Sequence, residues 1–140
     1  MRKLSSVLLV DDDQTTNYLS ELLFKRLSVA DKVFVAFNGQ EALDMLREHC
    51  EHATEECPAL ILLDVKMPVM DGFQFLEAYA RLPYAEHKAI IIVILTTSLH
   101  PHDVERVRRF NVAGFLNKPL TQEKLDDILQ THFQRHLPAG

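Results

Sequence analysis

Apolar positions along the chain fall into two rhythms that alternate five times. The runs Val7-Leu8-Leu9-Val10, Leu60-Ile61-Leu62-Leu63 and Ala89 to Leu95 have no polar alternation, which predicts strands buried on both faces. Val33 to Phe37 is a further strand by its β-branched and aromatic content, and Gly114-Phe115-Leu116-Asn117 a short one. Between these runs the apolar residues recur at helical spacing: Leu19, Leu22, Leu23 and Leu27; Leu43 and Leu46; Phe73, Leu76 and Ala80; Leu125, Ile128, Leu129 and Phe133. Punctuation agrees with this division. Asp13 or Thr15 caps the first helix, Asn38-Gly39-Gln40-Glu41 resembles a capping box, Pro83 stops the third helix and Thr121 caps the last. Pro101 suits the first turn of the fourth, with Asp103 and Glu105 near its positive end and Arg108 and Arg109 near its negative end. Glu48 to Pro58 has no apolar rhythm and reads as a loop or a frayed helix end.

Five strands alternating with five helices predict an α/β fold, a mostly parallel five-stranded sheet with helices on both faces. The expected organisation is one domain over 1–140, with its core at about 4–133 and a short tail at 136–140. Composition supports one ordinary globular core: 140 residues, 47% hydrophobic and 25% charged. A formal net charge of -5 and a pI of about 5.8 argue against a nucleic-acid partner. Arg106, Arg108 and Arg109 share their helix with Asp103 and Glu105 and read as a solvated face. No apolar run approaches the roughly 20 residues that span a bilayer, and Val7 to Val10 is too short for a signal peptide, so no membrane association and a cytoplasmic location are expected. Cys50 and Cys57 fit a reduced compartment better than a disulfide framework. With His49 and His52 they match no zinc pattern.

The chemistry lies where the strands end. Asp11 and Asp12 follow the first strand, Asp64 the third and Thr96 the fourth, while Lys118 follows the fifth. In open α/β sheets ligands bind at this carboxyl edge. Pro68 and Asp71-Gly72 prevent strand or helix from continuing past Asp64, whose carboxylate therefore opens onto a loop. Three crowded carboxylates repel unless a cation balances them, and oxygen-only ligands favour Mg²⁺. Mg²⁺ prefers one or two carboxylates plus a phosphoryl oxygen, which points to phosphate. A carboxylate attacking phosphorus forms an acyl phosphate, with Lys118 and the Thr96 hydroxyl placed to contact the phosphoryl oxygens.

With these residues in hand, the chain resembles a receiver domain of the two-component response-regulator family from Leu4 to about Phe133. Asp11-Asp12 match its acidic pair, Asp64 its phosphoacceptor, Lys66-Met67-Pro68-Val69-Met70-Asp71-Gly72 the following loop, Thr96 its switch hydroxyl and Lys118-Pro119 its lysine and proline. The resemblance implies a flavodoxin-like (βα)5 fold with strand order 2-1-3-4-5. It implies Mg²⁺ held by Asp12, Asp64 and the backbone carbonyl of Lys66, with Asp11 acting through water, and a cis peptide between Lys118 and Pro119. It implies a switch in which Thr96 moves inward and Phe115 follows. Lys66 and Ser98, flanking the phosphate, are expected to set its lifetime.

The function expected from this resemblance is that of a stand-alone response regulator. It takes a phosphoryl group from a sensor histidine kinase or a histidine phosphotransfer protein, and signals to a downstream protein through the fourth helix, fifth strand and fifth helix. It is an enzyme only in that it phosphorylates itself and slowly loses the group. Two other readings compete. A receiver-fold module could bind partners without phosphate. Alternatively, Asp11-Asp12-Asp13-Gln14-Thr15 reads D-x-D-x-T, similar to haloacid-dehalogenase-like phosphohydrolases, with Asp11 as nucleophile; the acidic pair that such enzymes need later is supplied here only by Asp126-Asp127, inside an amphipathic helix.

Overall fold

The computed structural model describes residues 4–50, 57–82, 90–97 and 100–133. Strands β1 (Leu4–Val10), β2 (Ala30–Ala36), β3 (Leu60–Leu63), β4 (Ile91–Thr96) and β5 (Gly114–Asn117) alternate with helices α1 (Gln14–Leu27), α2 (Gly39–Cys50), α3 (Gly72–Ala80), α4 (Pro101–Val107) and α5 (Gln122–Phe133). All strand pairs are parallel, in the order β2-β1-β3-β4-β5. Parallel neighbours need crossovers, and the helices supply them on both faces. Sequence reading and structure agree on all ten elements. Ala89, expected to open β4, and Pro83, expected to stop α3, lie outside the described residues.

The aliphatic runs explain the two-sided core. Leu8, Val10, Ile61, Leu63, Ile92 and Ile94 point to one face, against α2, α3 and α4. Val7, Leu9, Leu60, Leu62, Val93 and Leu95 point to the other, against α1 and α5. This is the period of two of a strand, with both faces dry. Register then places the site: Val10 pairs with Leu63 and Leu63 with Ile94, so β1, β3 and β4 reach the carboxyl edge together.

Four sequence expectations are corrected, the smallest being Ala80, which is exposed while Phe75 takes its place in the buried face of α3. Leu19 and Leu22, assigned to the buried stripe of α1, are exposed; the buried residues are Asn17, Ser20, Leu23 and Phe24. The helix is rotated so that Phe24 fills the core while Asn17 turns inward and its Nδ2 donates to the Asp11 carbonyl at 2.7 Å. The cysteines, expected to be reduced, are paired: α2 ends at Cys50, close to the entry of β3, which brings the Cα atoms of Cys50 and Cys57 to 4.7 Å within a disulfide. His49 instead stacks on Phe34, and His52 lies outside the described residues. The capping motif of α2 is modified as well. Asn38 accepts from the Glu41 N–H at 2.9 Å, but the Glu41 carboxylate reaches the Phe37 N–H, one residue further back than in a standard box.

Candidate functional site

The site is built at the ends of β1, β3, β4 and β5. Asp11 is buried and its backbone is pinned at both ends: its N–H donates to Ala36 O at 3.0 Å and its carbonyl accepts from Asn17. Its side chain accepts from the Asp13 N–H at 2.9 Å through Oδ1 and from Lys118 through Oδ2. Asp12 is exposed beside it. Asp13 caps α1, accepting from the Thr15 N–H at 3.0 Å and the Thr16 hydroxyl at 2.9 Å, bonds that lower its pKa.

Asp64 is buried where β3 ends. Its N–H donates to Val10 O at 2.9 Å and its Oδ1 accepts from the Val65 N–H at 2.9 Å. Oδ2 is left facing Lys118 Nζ at 3.4 Å. The loop that follows is closed by Gly72 N–H donating to Val65 O at 3.0 Å, and is tied to the start of α2 by Gly39 N–H donating to Met70 O at 2.8 Å. Asp71 caps α3 in a full capping box with Gln74. Met67 is buried and Met70 packs against the same core, so both anchor the loop. Lys66 is exposed, and its backbone carbonyl accepts no hydrogen bond among the described residues.

Within this loop Val69 has φ 68°, and Met70 N–H donates back to Pro68 O at 2.7 Å across it. A β-branched residue is a poor occupant of the left-handed region. Val69 is 80% exposed, so its side chain loses little packing when removed. Val69→Gly is therefore expected to stabilise the protein by about 1 kcal/mol, the relieved strain exceeding the added flexibility of the unfolded chain. A rise in the urea midpoint at unchanged slope checks it.

Lys118 follows β5 and its N–H donates to Thr96 O at 2.9 Å; its peptide bond to Pro119 is cis, as the resemblance implied. Burial disfavours its ammonium, but the hydrogen bond to Asp11 and the charges of Asp64 and Asp11 outweigh it, so its pKa lies above the usual lysine value. Burial is also the largest influence on Asp11 and raises its pKa, assisted by the charge of Asp64; the bonds from Lys118 and the Asp13 N–H oppose it. Thr96 is buried at the end of β4. Together with Val65, Ile94, Val104, Val107 and the half-buried Phe115, it lines a small pocket under α4. Ser98, assigned with Lys66 to the phosphate lifetime, lies outside the described residues.

Asp11, Asp12 and Asp64 each bring a carboxylate oxygen within 4.8 Å of the others. Three carboxylates against the one ammonium of Lys118 leave two negative charges, and the donors are oxygens alone. The residues therefore fit a hard divalent cation such as Mg²⁺. Sequence reasoning found every one of these groups. It missed Asn17, whose signal was a polar residue on the inward face of an otherwise apolar helix.

Comparison with known proteins agrees with this geometry. The model of the response regulator receiver domain matches residues 7–130. The probable methanogenesis regulatory protein FilR2 of Methanothrix harundinacea is 34% identical over 85% of this chain and 75% of its own length. A two-component response regulator from Cytophaga hutchinsonii, 24% identical, shares the fold with a TM-score of 0.84 over 96% of this chain and 100% of its own. The Mn²⁺-bound form of the response regulator Rcp1 is 26% identical, with a TM-score of 0.69 over 96% of this chain and 99% of its own. Among the described residues no helix is long and apolar enough to cross a membrane. With its parallel 2-1-3-4-5 sheet, its acidic cluster at the carboxyl edge and a family match over most of its length, the chain belongs to the response regulator receiver domains of two-component signalling.

Proposed function

We propose that this chain is a cytoplasmic phosphoacceptor that takes a phosphoryl group onto Asp64 from a histidine kinase or a histidine phosphotransfer protein. Receiver domains of its family interact with histidine kinases. The observation that carries the reading is the difference between the two buried carboxylates. Both have a backbone donor on Oδ1 and Lys118 at Oδ2, but among the described residues Lys118 lies closer to Asp11 and stands off Asp64 Oδ2 at 3.4 Å. Asp64 Oδ2 is thus the oxygen held less closely, and the one placed for attack.

In the transfer, Asp64 Oδ2 forms a bond to phosphorus as the phosphorus–nitrogen bond of the donor breaks, and the electron pair leaves on the imidazole. The product is an acyl phosphate. Lys118 Nζ, held between Asp11 and Asp64, balances charge on the phosphoryl oxygens, and the Thr96 hydroxyl supplies a donor to another. Asp11, Asp12, Asp64 and the Lys66 carbonyl would hold Mg²⁺, which when bound neutralises charge at the phosphoryl group. Rcp1 in its Mn²⁺-bound form supports a divalent cation in such a site. Thr96 drawn toward the phosphate leaves room in the pocket under α4 that Phe115 borders, so the signal leaves through α4, β5 and α5. Water later attacks phosphorus, the bond from phosphorus to Asp64 Oδ2 breaks, and inorganic phosphate leaves as the carboxylate is restored. Exposed Lys66, with Ser98, governs that approach, and an unchanged dephosphorylation rate in Lys66→Asn would refute the part given to Lys66.

The test is incubation with acetyl phosphate and Mg²⁺, and separately with a phosphohistidine protein. The expected product gains one phosphoryl group, is cleaved by hydroxylamine as an acyl phosphate, and does not form in excess EDTA. No label from any donor, or label indifferent to EDTA, overturns the reading.

A further inference from the structure

Lys124 stands where a helix ordinarily carries an acceptor. Thr121 caps α5, its Oγ1 accepting from the Lys124 N–H at 3.2 Å, so Lys124 is the third residue of the helix, the place of Glu or Gln in a capping box. On α3 the same place holds Gln74 and the box is complete. A cation in the first turn also faces the positive end of the helix dipole, which disfavours it. The side chain turns back instead: Nζ donates to the Asn117 carbonyl at 2.7 Å and to the Pro119 carbonyl at 3.1 Å. Those two carbonyls bracket Lys118. On its other side, the Lys118 N–H is held by Thr96 O at 2.9 Å. Charge-assisted bonds of this kind are stronger than neutral ones, and two of them on one ammonium offset the unfavourable end of the dipole.

We propose that Lys124 is a positioning residue for phosphoryl transfer, its ammonium fixing the turn between β5 and α5 so that Lys118 Nζ stays aimed between Asp11 and Asp64. The proposal rests on the phosphoacceptor reading above. Lys124 touches none of the reacting atoms and acts only through the backbone on either side of Lys118. Without it, α5 still has its Thr121 cap, but the carbonyls that flank Lys118 lose their shared donor.

The experiment compares wild type, Lys124→Gln and Lys124→Arg, with Asp64→Ala as the blank. It measures the rate of labelling by acetyl phosphate at saturating Mg²⁺ and, separately, the thermal midpoint. Lys124→Gln supplies the capping-box residue without adding negative charge. It is expected to equal or exceed wild type in thermal midpoint yet to label about tenfold more slowly, since small misplacements of a charged group are costly in rate. Lys124→Arg, which keeps the donors, is expected to recover most of the rate. The deficit of Lys124→Gln should persist in about 0.5 M salt, where a long-range charge effect is screened. An unchanged rate overturns the proposal, as does a deficit that salt abolishes, or one that tracks a fall in thermal midpoint and is not rescued by Arg. If wild type itself takes no label, the phosphoacceptor reading fails first and the proposal falls with it.

Discussion

Asp64→Ala is expected to lose the acyl phosphate completely, a drop of at least about a hundredfold in label, while Asp11→Ala still acquires it. Each carboxylate oxygen has two acceptor sites, so the better placed nucleophile is the oxygen that the protein's own donors hold least closely. Asp11 accepts from the Asp13 N–H at 2.9 Å and is held by Lys118 at the shorter of that lysine's two carboxylate contacts. Asp64 uses Oδ1 to accept from the Val65 N–H and leaves Oδ2 toward Lys118 at the longer distance of 3.4 Å. Losing Asp11 removes one of three clustered carboxylates, so Asp11→Ala should need about ten- to a hundredfold more Mg²⁺ for half-maximal labelling, yet reach label on Asp64. Intact-mass measurement after acetyl phosphate, titrated with Mg²⁺, reads both effects. Label that survives Asp64→Ala and vanishes with Asp11→Ala would reverse the roles and make the chain an Asp11 phosphohydrolase.

What made the site legible was convergence at strand ends. Aliphatic runs buried on both faces have to be central strands, and a polar residue directly after such a run has to emerge at the carboxyl edge. Asp11, Asp64 and Thr96 are placed by that logic, Lys118 follows the short edge strand β5, and the parallel register brings the four together. The face of α1 was not legible in the same way. Apolar periodicity weighs Leu19 and Leu22 as core, but Asn17 is turned inward to hold the Asp11 carbonyl, and the leucines are rotated to the surface. A buried polar contact, not the apolar count, marks the inward face here. The disulfide was hidden because a spacing of seven residues says nothing of the distance across the start of β3. Lys124 was hidden because a lysine in an amphipathic helix reads as a solvated charge until its acceptors, Asn117 and Pro119, are seen.

Gly72 was visible in the sequence only as half of a turn pair, and its larger role is steric. A Cβ at this position would lie 2.6 Å from the Asp64 carbonyl oxygen, 2.9 Å from Val65 Cα and 3.3 Å from the Asp64 carbonyl carbon. All three are backbone atoms of the segment that presents the phosphoacceptor, so no side chain can swing aside. The Gly72 N–H also donates to Val65 O at 3.0 Å, which holds the two strands of the loop in that close approach. Alanine would favour the first turn of α3 by up to about 1 kcal/mol. Backbone overlap of this kind costs about 1–3 kcal/mol or more and wins. Gly72→Ala is therefore expected to destabilise by about 2 kcal/mol net, read as a fall in the urea midpoint, and to slow labelling of Asp64 even in the fraction that remains folded. Gly114→Ala is the matched control: its Cβ would meet nothing within 4 Å, and its stability should change by no more than about 0.5 kcal/mol. If the two variants prove equally stable, the contact between Gly72 and the Asp64 backbone does not constrain the loop; if Gly72→Ala unfolds more easily but labels at the wild-type rate when folded, the constraint holds the fold without aiming the carboxylate.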